Sequence, residues 1–347
     1  MADRVLWVGT QLTTAPRSGG AIRSLRLLEA LARHAEVDLL TTERSGGELP
    51  VASHTPVPSP AKPLRALGLA RGWPRATARS CSRAGAKAAE RLAANASHVV
   101  VEWVHLFPLV PRHGPYVLSL HNVEADRSTD KRLVAAERRL VADPRATTVV
   151  VSERDRGLLG IDATVVPNGT DIPSVTTEVR ADGDVLFVGA MDYGPNRHAV
   201  EWWAGNVWRA GLPPLTVAGR SAGTLPPMDG VRVLGEVESV APLLERAALV
   251  AVPLHHGGGT RLKVLEAFAA GRPVLSTSKG VEGLRVGGAC AIADDPREFG
   301  NAVALLLGDL PRRRALAAAG RKVAEEHAWG PLGEAFARAV LTSPGRR

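Results

Sequence analysis

Residues 249–273 read LVAVPLHHGGGTRLKVLEAFAAGRP: an apolar run, three glycines, a helix-forming run and a glycine-proline stop. Residues 249–252 are closed by Pro253, the pattern of a buried parallel strand ending at a turn. Gly257, Gly258 and Gly259 let the backbone approach a ligand without side-chain obstruction. Thr260 then stands at the N-cap of a helix formed by residues 261–270 and stopped by Gly271 and Pro273. A glycine turn feeding a helix N-terminus offers free backbone N–H groups and the positive end of the helix dipole, so the natural guest is an anion. Arg261 and Lys263 add full charges there. At about 100° per residue, Thr260, Lys263 and Glu266 share one sector of the helix, with Leu262, Leu265 and Ala269 mostly on the other. That face offers a phosphate contact near its start and, further along, a carboxylate suited to accept hydrogen bonds from a ribose diol. The alternative is an ordinary strand-turn-helix with a solvated basic first turn, an arrangement the dipole opposes.

The chain has 347 residues, enough for two α/β domains, and is 45% apolar and 22% charged, a globular composition. Its net charge of +8 is spread over both halves, so neither half reads as a nucleic-acid module. The excess fits anionic small molecules or a membrane surface as well as it fits RNA. Cys81 and Cys290 have no CxxC spacing, which points to neither a disulfide framework nor a zinc site but to a reducing compartment. The first apolar run is too short for a signal peptide, and no later window approaches a membrane span. A cytoplasmic protein is expected.

In chain order, residues 5–8 form a first strand, and a polar loop follows that ends in Ser18, Gly19 and Gly20. Residues 21–34 are helical with Ile22, Leu25, Leu28 and Leu31 on one face, and residues 37–40 form the next strand. This is the opening unit of a Rossmann-like fold, without the GxGxxG fingerprint of a dinucleotide site. Residues 50–63 are proline-rich and read as a loop. Arg71, Arg75, Arg79, Arg83, Lys87 and Arg91 recur every fourth residue, a basic stripe on a helix starting near Pro74. It is either a solvated face or a contact for an anionic membrane surface or acceptor. A strand over 98–101 delivers Glu102 and Trp103, and a strand over 116–120 delivers His121, Asn122 and Glu124 to the same sheet edge, an imidazole and carboxylates together. Residues 123–141 read as a helix. Turn residues mark a domain boundary near 168–182. The second half repeats the strand and helix alternation.

The central segment, GGGTRLKVLEAFAAGRPVLSTSKGVEGL over 257–284, resembles the donor-site segment of GT-B glycosyltransferases of the large retaining group known as glycosyltransferase family 4, the glycosyl transferases group 1. SGG (18–20), HNVEADR (121–127), VVPNGTDIP (165–173) and VLFVGAMDYGPN (185–196) agree with that family in the expected order, as do VSERDRGLL and LTVAGR. The match is weak over 51–96 and strong over 152–284. The resemblance implies an α/β GT-B architecture, two facing Rossmann-like domains with a cleft between them. The first, 1–170, would bind acceptor; the second, 171–347, would bind the nucleotide sugar, its last helix being one that can cross back to the first domain.

Carried over to this chain, the resemblance puts Glu266 on the ribose and the glycine turn, Gly257, Gly258 and Gly259, with Thr260, Arg261 and Lys263 on the diphosphate. Gly19 and Gly20 would approach the diphosphate, and His121 would contact a hydroxyl of the transferred sugar. Glu102, Asn122 and Glu124 are acceptor-side candidates. The catalytic set is His121, Arg261 and Lys263. The resemblance implies no metal and no cofactor beyond the nucleoside-diphosphate sugar co-substrate. Two departures stand out. Gly258 falls where the family commonly has the first of two glutamates, and Met191, Asp192, Tyr193 and Asn196 fall where many members carry Arg and Lys. Arg261, Lys263 and Arg220 are the replacement cations.

The expected function is retaining, metal-independent transfer, of hexosyltransferase type, from a nucleoside-diphosphate sugar to a hydroxyl of a glycan, lipid-linked or small-molecule (natural-product) acceptor. The expected partners include no nucleic acid and allow peripheral contact with the inner face of the membrane through the basic helix near 71–91. The alternatives are a GT-B sugar-nucleotide epimerase, which needs no acceptor, and a non-catalytic GT-B nucleotide-binding homologue.

Overall fold

The structure, a computed structural model, describes residues 3–16, 18–43, 45–57, 59–258 and 261–346. The chain divides into two compact units, Met1–Asn168 with Trp329–Arg347, and Gly169–Ala328. In the first, strands β1 (Arg4–Gly9), β2 (Glu36–Thr41), β3 (Ser53–Pro56), β4 (His98–Glu102), β5 (Tyr116–Ser119), β6 (Ala146–Val150) and β7 (Thr164–Val165) form one sheet in the order β3-β2-β1-β4-β5-β6-β7. All its ladders are parallel. β4 and β5 are buried along their whole length, because a parallel sheet is covered on both faces. The order reverses between β1 and β4, and that switch point puts Gly9 beside Glu102 at the carboxyl edge.

Helix Gly19–Leu31 starts where Ser18 accepts a hydrogen bond from the Ala21 N–H. The last helix, Trp329–Leu341, packs on it: a Cβ at Gly333 would lie 2.5 Å from that of Ala30. Phe336 reaches the Trp7 ring at 5.6 Å between centroids. This helix therefore groups with the first unit, the crossing back that the resemblance allowed for the last helix of 171–347. Turn residues mark where a domain ends, not where a later helix finds an apolar partner.

The second unit has β8 (Asp184–Val188), β9 (Leu215–Ala218), β10 (Val231–Gly235), β11 (Ala247–Val252), β12 (Val274–Ser276) and β13 (Ala291–Ile292), in the parallel order β10-β9-β8-β11-β12-β13. Its switch point lies between β8 and β11, and all six residues of β11 are buried. Helix Leu262–Ala269 follows and buries Val264, Leu265, Ala267, Phe268 and Ala269. Gly320 makes room for Phe268, since a Cβ there would come within 2.4 Å of the ring. Two fully buried arginines tie the incoming chain to this unit. Arg272 donates to the carbonyls of Glu178, Glu245 and Thr177, and Arg313 to those of Arg180, Ala181 and Ala248.

Three readings need correction. Residues 53–56 are a strand, not loop: SHTP pairs with β2 as the sheet edge, where a terminal proline is tolerated. The expected helix over 123–141 is two, Glu124–Arg127 and Lys131–Val141, because Asp130 caps the second with its side chain. The basic stripe near 71–91 has no single helix under it. Arg75–Ser80 ends at extended Cys81, and Ser82 caps a new helix, Arg83–Ala93, by accepting from the Gly85 N–H. A serine that competes for backbone N–H groups starts helices better than it continues them.

Phe268→Ala removes a fully buried ring and is expected to cost about 3–5 kcal/mol. Denaturant unfolding followed in a variant set of the second unit measures it.

Candidate active site

In the second unit the carboxyl ends of β8 and β11 carry two loops, and the residues between them converge. Gly257 follows β11 with φ at 101°, and a Cβ there would lie 2.7 Å from the Tyr193 hydroxyl, so only glycine fits. Arg261, 5% exposed, lies at the N-cap of the next helix. Its guanidinium donates to the carbonyls of Gly257 (2.8 Å), Gly258 (3.0 Å) and Lys279 (3.2 Å). It thus folds the glycine loop as well as charging it. Gly259 and Thr260 lie outside the described residues.

Lys263 and Glu266 stand one turn apart on helix Leu262–Ala269. The Lys263 ammonium donates to Asn196 Oδ1 at 2.7 Å and lies 4.1 Å from the Phe187 ring centroid. A Cβ at Gly189 would press within 2.9 Å of its Nζ, so glycine after β8 opens this space. Burial, reinforced by the Arg261 charge and opposed by Glu266, pushes Lys263 down to about 7. Burial raises the Glu266 carboxyl, against Lys263. No hydrogen bond to the Glu266 carboxylate is found among the described residues. Arg220, expected as a donor-site cation, is paired with Asp192 at 3.0 and 3.1 Å.

Sequence reasoning missed Asn196 as the partner of Lys263. It also missed a cluster of His198, His255 and His256 with Trp202, whose rings approach to 4.6 Å (His198 to His256) and 4.3 Å (His255 to Trp202). HHG after a strand was its visible signal; His198 came from a different helix.

In the first unit, Glu102 ends β4 and is 1% exposed. Its Oε1 receives the Ser24 hydroxyl at 2.8 Å and lies 3.0 Å from His121 Nε2, while Oε2 receives the Trp7 indole N–H at 3.1 Å. A buried carboxylate with three donors is well satisfied, and it stands behind His121 rather than on a surface open to an acceptor. His121 Nδ1 is buried and has no hydrogen-bond partner. Burial lowers the His121 pKa against the pull of Glu102, and the Arg23 charge lowers it further. Arg23 itself is fully buried, donates to Pro167 O and Asn168 Oδ1, and is pushed down to about 10 by burial.

Trp103 stacks on His121, with centroids 3.8 Å apart and an 18° interplanar angle. Its φ is 68° with ψ 130°, a region costing a bulky residue about 1–3 kcal/mol. Gly20 closes the other side, where a Cβ would lie 3.0 Å from the indole and 3.4 Å from His121 Nδ1. Gly19 and Gly20 open the helix beneath Ser18. Asn122 and Glu124 are joined to each other at 2.8 Å, and the Glu124 and Ala125 N–H groups donate to buried Glu137.

Residues 182–309 match the family model described as glycosyl transferases group 1. No curated protein matches the chain. Among solved structures, sucrose-phosphate synthase from Thermosynechococcus elongatus is 16% identical over 95% of this chain and 96% of its own, with a TM-score of 0.68. WaaG, a glycosyltransferase involved in lipopolysaccharide biosynthesis, is 17% identical over 97% and 100%, with a TM-score of 0.68. Anabaena HepE, solved in complex with UDP, is 13% identical over 98% and 100%, with a TM-score of 0.69.

The fold is therefore that of a GT-B protein, α/β with two parallel sheets. Within its second unit, residues 182–309 are similar to the glycosyl transferases group 1.

The Lys263 shift has a testable sign. An unfolded lysine keeps its proton up to about 10.5, whereas the folded one sheds it from about 7 upward. The unfolded state then holds more protons between those values, and this group's contribution to stability rises with pH across the window. A bound anion favours the charged ammonium. Binding of a polyphosphate anion, with pyrophosphate as the probe, is therefore expected to take up a proton near neutrality and to weaken from pH 6 to 8, with Lys263→Met flattening both effects. Calorimetry in two buffers of different ionisation heat measures this.

Proposed function

We propose that the chain transfers a sugar from a nucleoside-diphosphate sugar to an acceptor hydroxyl, with retention and without a metal. The observation that carries this reading is the placing of Lys263 and Glu266 one turn apart on the helix that follows β11 and its glycine turn. That pair lies at the switch point of the unit matching the group 1 family. A cation close to a backbone-lined turn suits a diphosphate, and a half-buried carboxylate one turn on suits the ribose diol. Arg261 shapes the turn and adds charge. The loop glycines, Gly257 and Gly258 among them, bring backbone close to the phosphates, and Arg220 with Asp192 borders this side. In the first unit, Gly19 and Gly20 leave helix N–H groups accessible, and His121 serves a sugar hydroxyl. Among the described residues of these elements, none is placed to serve as a nucleophile for a covalent sugar intermediate, which favours front-face transfer. The leaving diphosphate then assists deprotonation of the incoming hydroxyl, and catalysis rests on stabilising its charge.

HepE has been solved with UDP-glucose, and TarM with UDP and a glycosylated glycerol. These support a nucleotide-sugar donor and a glycan acceptor, and WaaG supports acceptors of lipid-linked type. A thermal-shift screen against UDP-, GDP-, ADP- and dTDP-sugars identifies the donor, and the anomeric configuration of the product, read by NMR, tests retention. Glu266→Ala is expected to weaken the donor more than tenfold, about 1.4 kcal/mol or above. His121→Ala should lower turnover with donor affinity kept. Nucleotide release that needs no acceptor would favour the epimerase, and nucleotide binding without turnover the non-catalytic homologue.

We also propose peripheral contact of the first unit with an anionic bilayer. Among the described residues, no helix is long and apolar enough to cross a membrane. Helix Lys62–Ala70 nevertheless leaves Leu64 58%, Leu67 45% and Leu69 39% exposed. Lys62, Arg71, Arg75, Arg79, Arg83 and Lys87 are exposed around and after it, with no acidic residue from 62 to 89. Exposed leucines flanked by cations suit insertion at an anionic interface. Leu64→Glu with Leu67→Glu is expected to reduce cosedimentation with phosphatidylglycerol vesicles at least tenfold at low salt. Wild-type protein that ignores such vesicles would dispose of the contact.

A further inference from the structure

Three features of the first unit meet at one ring. The Glu102 carboxylate is held by the Trp7 N–H and lies within hydrogen-bond reach of Ser24; a carboxylate only accepts, so in its contact with His121 the donor is Nε2–H. That choice leaves Nδ1 as a bare acceptor, and among the described residues no other group uses it. Trp103, the residue directly after Glu102, is held at positive φ, and Gly20 is small enough to admit its indole edge beside Nδ1. Among the described residues only Trp103 and Ser221 combine a side chain with positive φ, and Ser221 lies in the ordinary left-handed region whereas Trp103 does not. A strained backbone and an unpaired buried nitrogen are two costs stored in one contact, and strain of this kind gathers where a ligand acts.

We propose that Trp103 is a positioning residue, whose indole clamps the His121 ring so that Nε2–H stays on Glu102 and Nδ1 stays bare for a donating hydroxyl of the substrate. The inference rests on the glycosyltransferase reading for the identity of that hydroxyl, a sugar hydroxyl, but not for the tautomer. The backbone at 103 fixes the direction of the indole: its N–H donates to Ser119 O at 3.2 Å, and its carbonyl accepts from the Leu106 N–H at 3.1 Å. The ring therefore lies across the end of β5 instead of turning outward with the short helical segment Val104–Leu109. Gly20 and the indole together close over Nδ1. A hydroxyl reaching that nitrogen comes past the indole edge, so the ring also selects how the sugar is presented. The charged and titratable groups facing His121 are Glu102 from β4, Arg23 from helix Gly19–Leu31 and His105 from the segment after Trp103. Burial lowers His105 to about 4, with His121 adding to the effect. His105 is thus neutral near neutrality and brings no charge that would displace the Nε2 proton.

Nitrogen-15 NMR of the histidine side chains, with His121 assigned by His121→Asn, tests the clamp in the free protein. Wild type is expected to show the Nε2–H tautomer with a bare Nδ1, Trp103→Phe to keep it, and Trp103→Ala to give a mixture of tautomers. With UDP-glucose as probe, or the donor identified by the thermal-shift screen, the Nδ1 resonance should move on binding in wild type and Trp103→Phe. Steady-state kinetics should then show Trp103→Ala at least tenfold lower in kcat with KM within threefold, and Trp103→Phe recovering most of the loss. A single Nδ1–H tautomer in wild type, or Trp103→Ala matching wild type in both tautomer and kcat, overturns the assignment. If wild type turns over no nucleotide sugar, the proposed function fails instead, and the tautomer in Trp103→Ala alone decides the clamp: a mixture supports it, the wild-type tautomer ends it.

Discussion

Both units depend on one constraint of parallel sheets. Where strand order reverses, the segments leaving two neighbouring strands run to opposite faces, and the carboxyl ends between them stay uncovered. In the first unit that opening is bounded by β1 and β4, with Gly9 against Glu102. In the second it is bounded by β8 and β11, and the chain places Gly189 on one side and the Gly257 turn on the other. The remaining strands and helices build the apolar walls that hold these ends in place.

The two openings are furnished by different electrostatics. The second unit gathers cations with carboxylates, and burial shifts Lys263 and Glu266 in opposite directions: Lys263 falls and Glu266 rises. Each is the other's partial compensation, so a ligand carrying phosphate and hydroxyl groups can satisfy both. The first unit gathers neutral donors on a single buried carboxylate and leaves one acceptor nitrogen unused. One opening suits an anion, the other an orientated hydroxyl. Cations without partners on the protein are scarce in both, since Arg261 is spent on loop carbonyls and Arg220 on Asp192.

Much of this was legible in the chain. Alternation of short apolar runs with helical periods announced two Rossmann-like units, and the glycines before a basic helix start announced the tight turn after β11. Glu102 and His121 were legible as neighbours, because both follow strands that pair. Their roles were not. Whether a carboxylate faces a ligand or a ring behind it depends on side chains from other elements, here Trp7 and Ser24, that no local pattern links. The helix break at Cys81 and Ser82 was likewise hidden, since spacing by four is the same on one helix or two.

By itself, then, the sequence determined the fold class, the order of the elements, the glycine turn and the basic start of the helix after it, because those depend on periodicity and backbone freedom. Only the tertiary structure decided that Arg261 folds the loop it charges, that Asn196 holds Lys263, that the last helix belongs to the first unit, and that Trp103 lies strained across His121. Each of these is a contact between elements distant in the chain, or a backbone angle imposed by such contacts. Both are settled by packing rather than by the preferences of neighbouring residues.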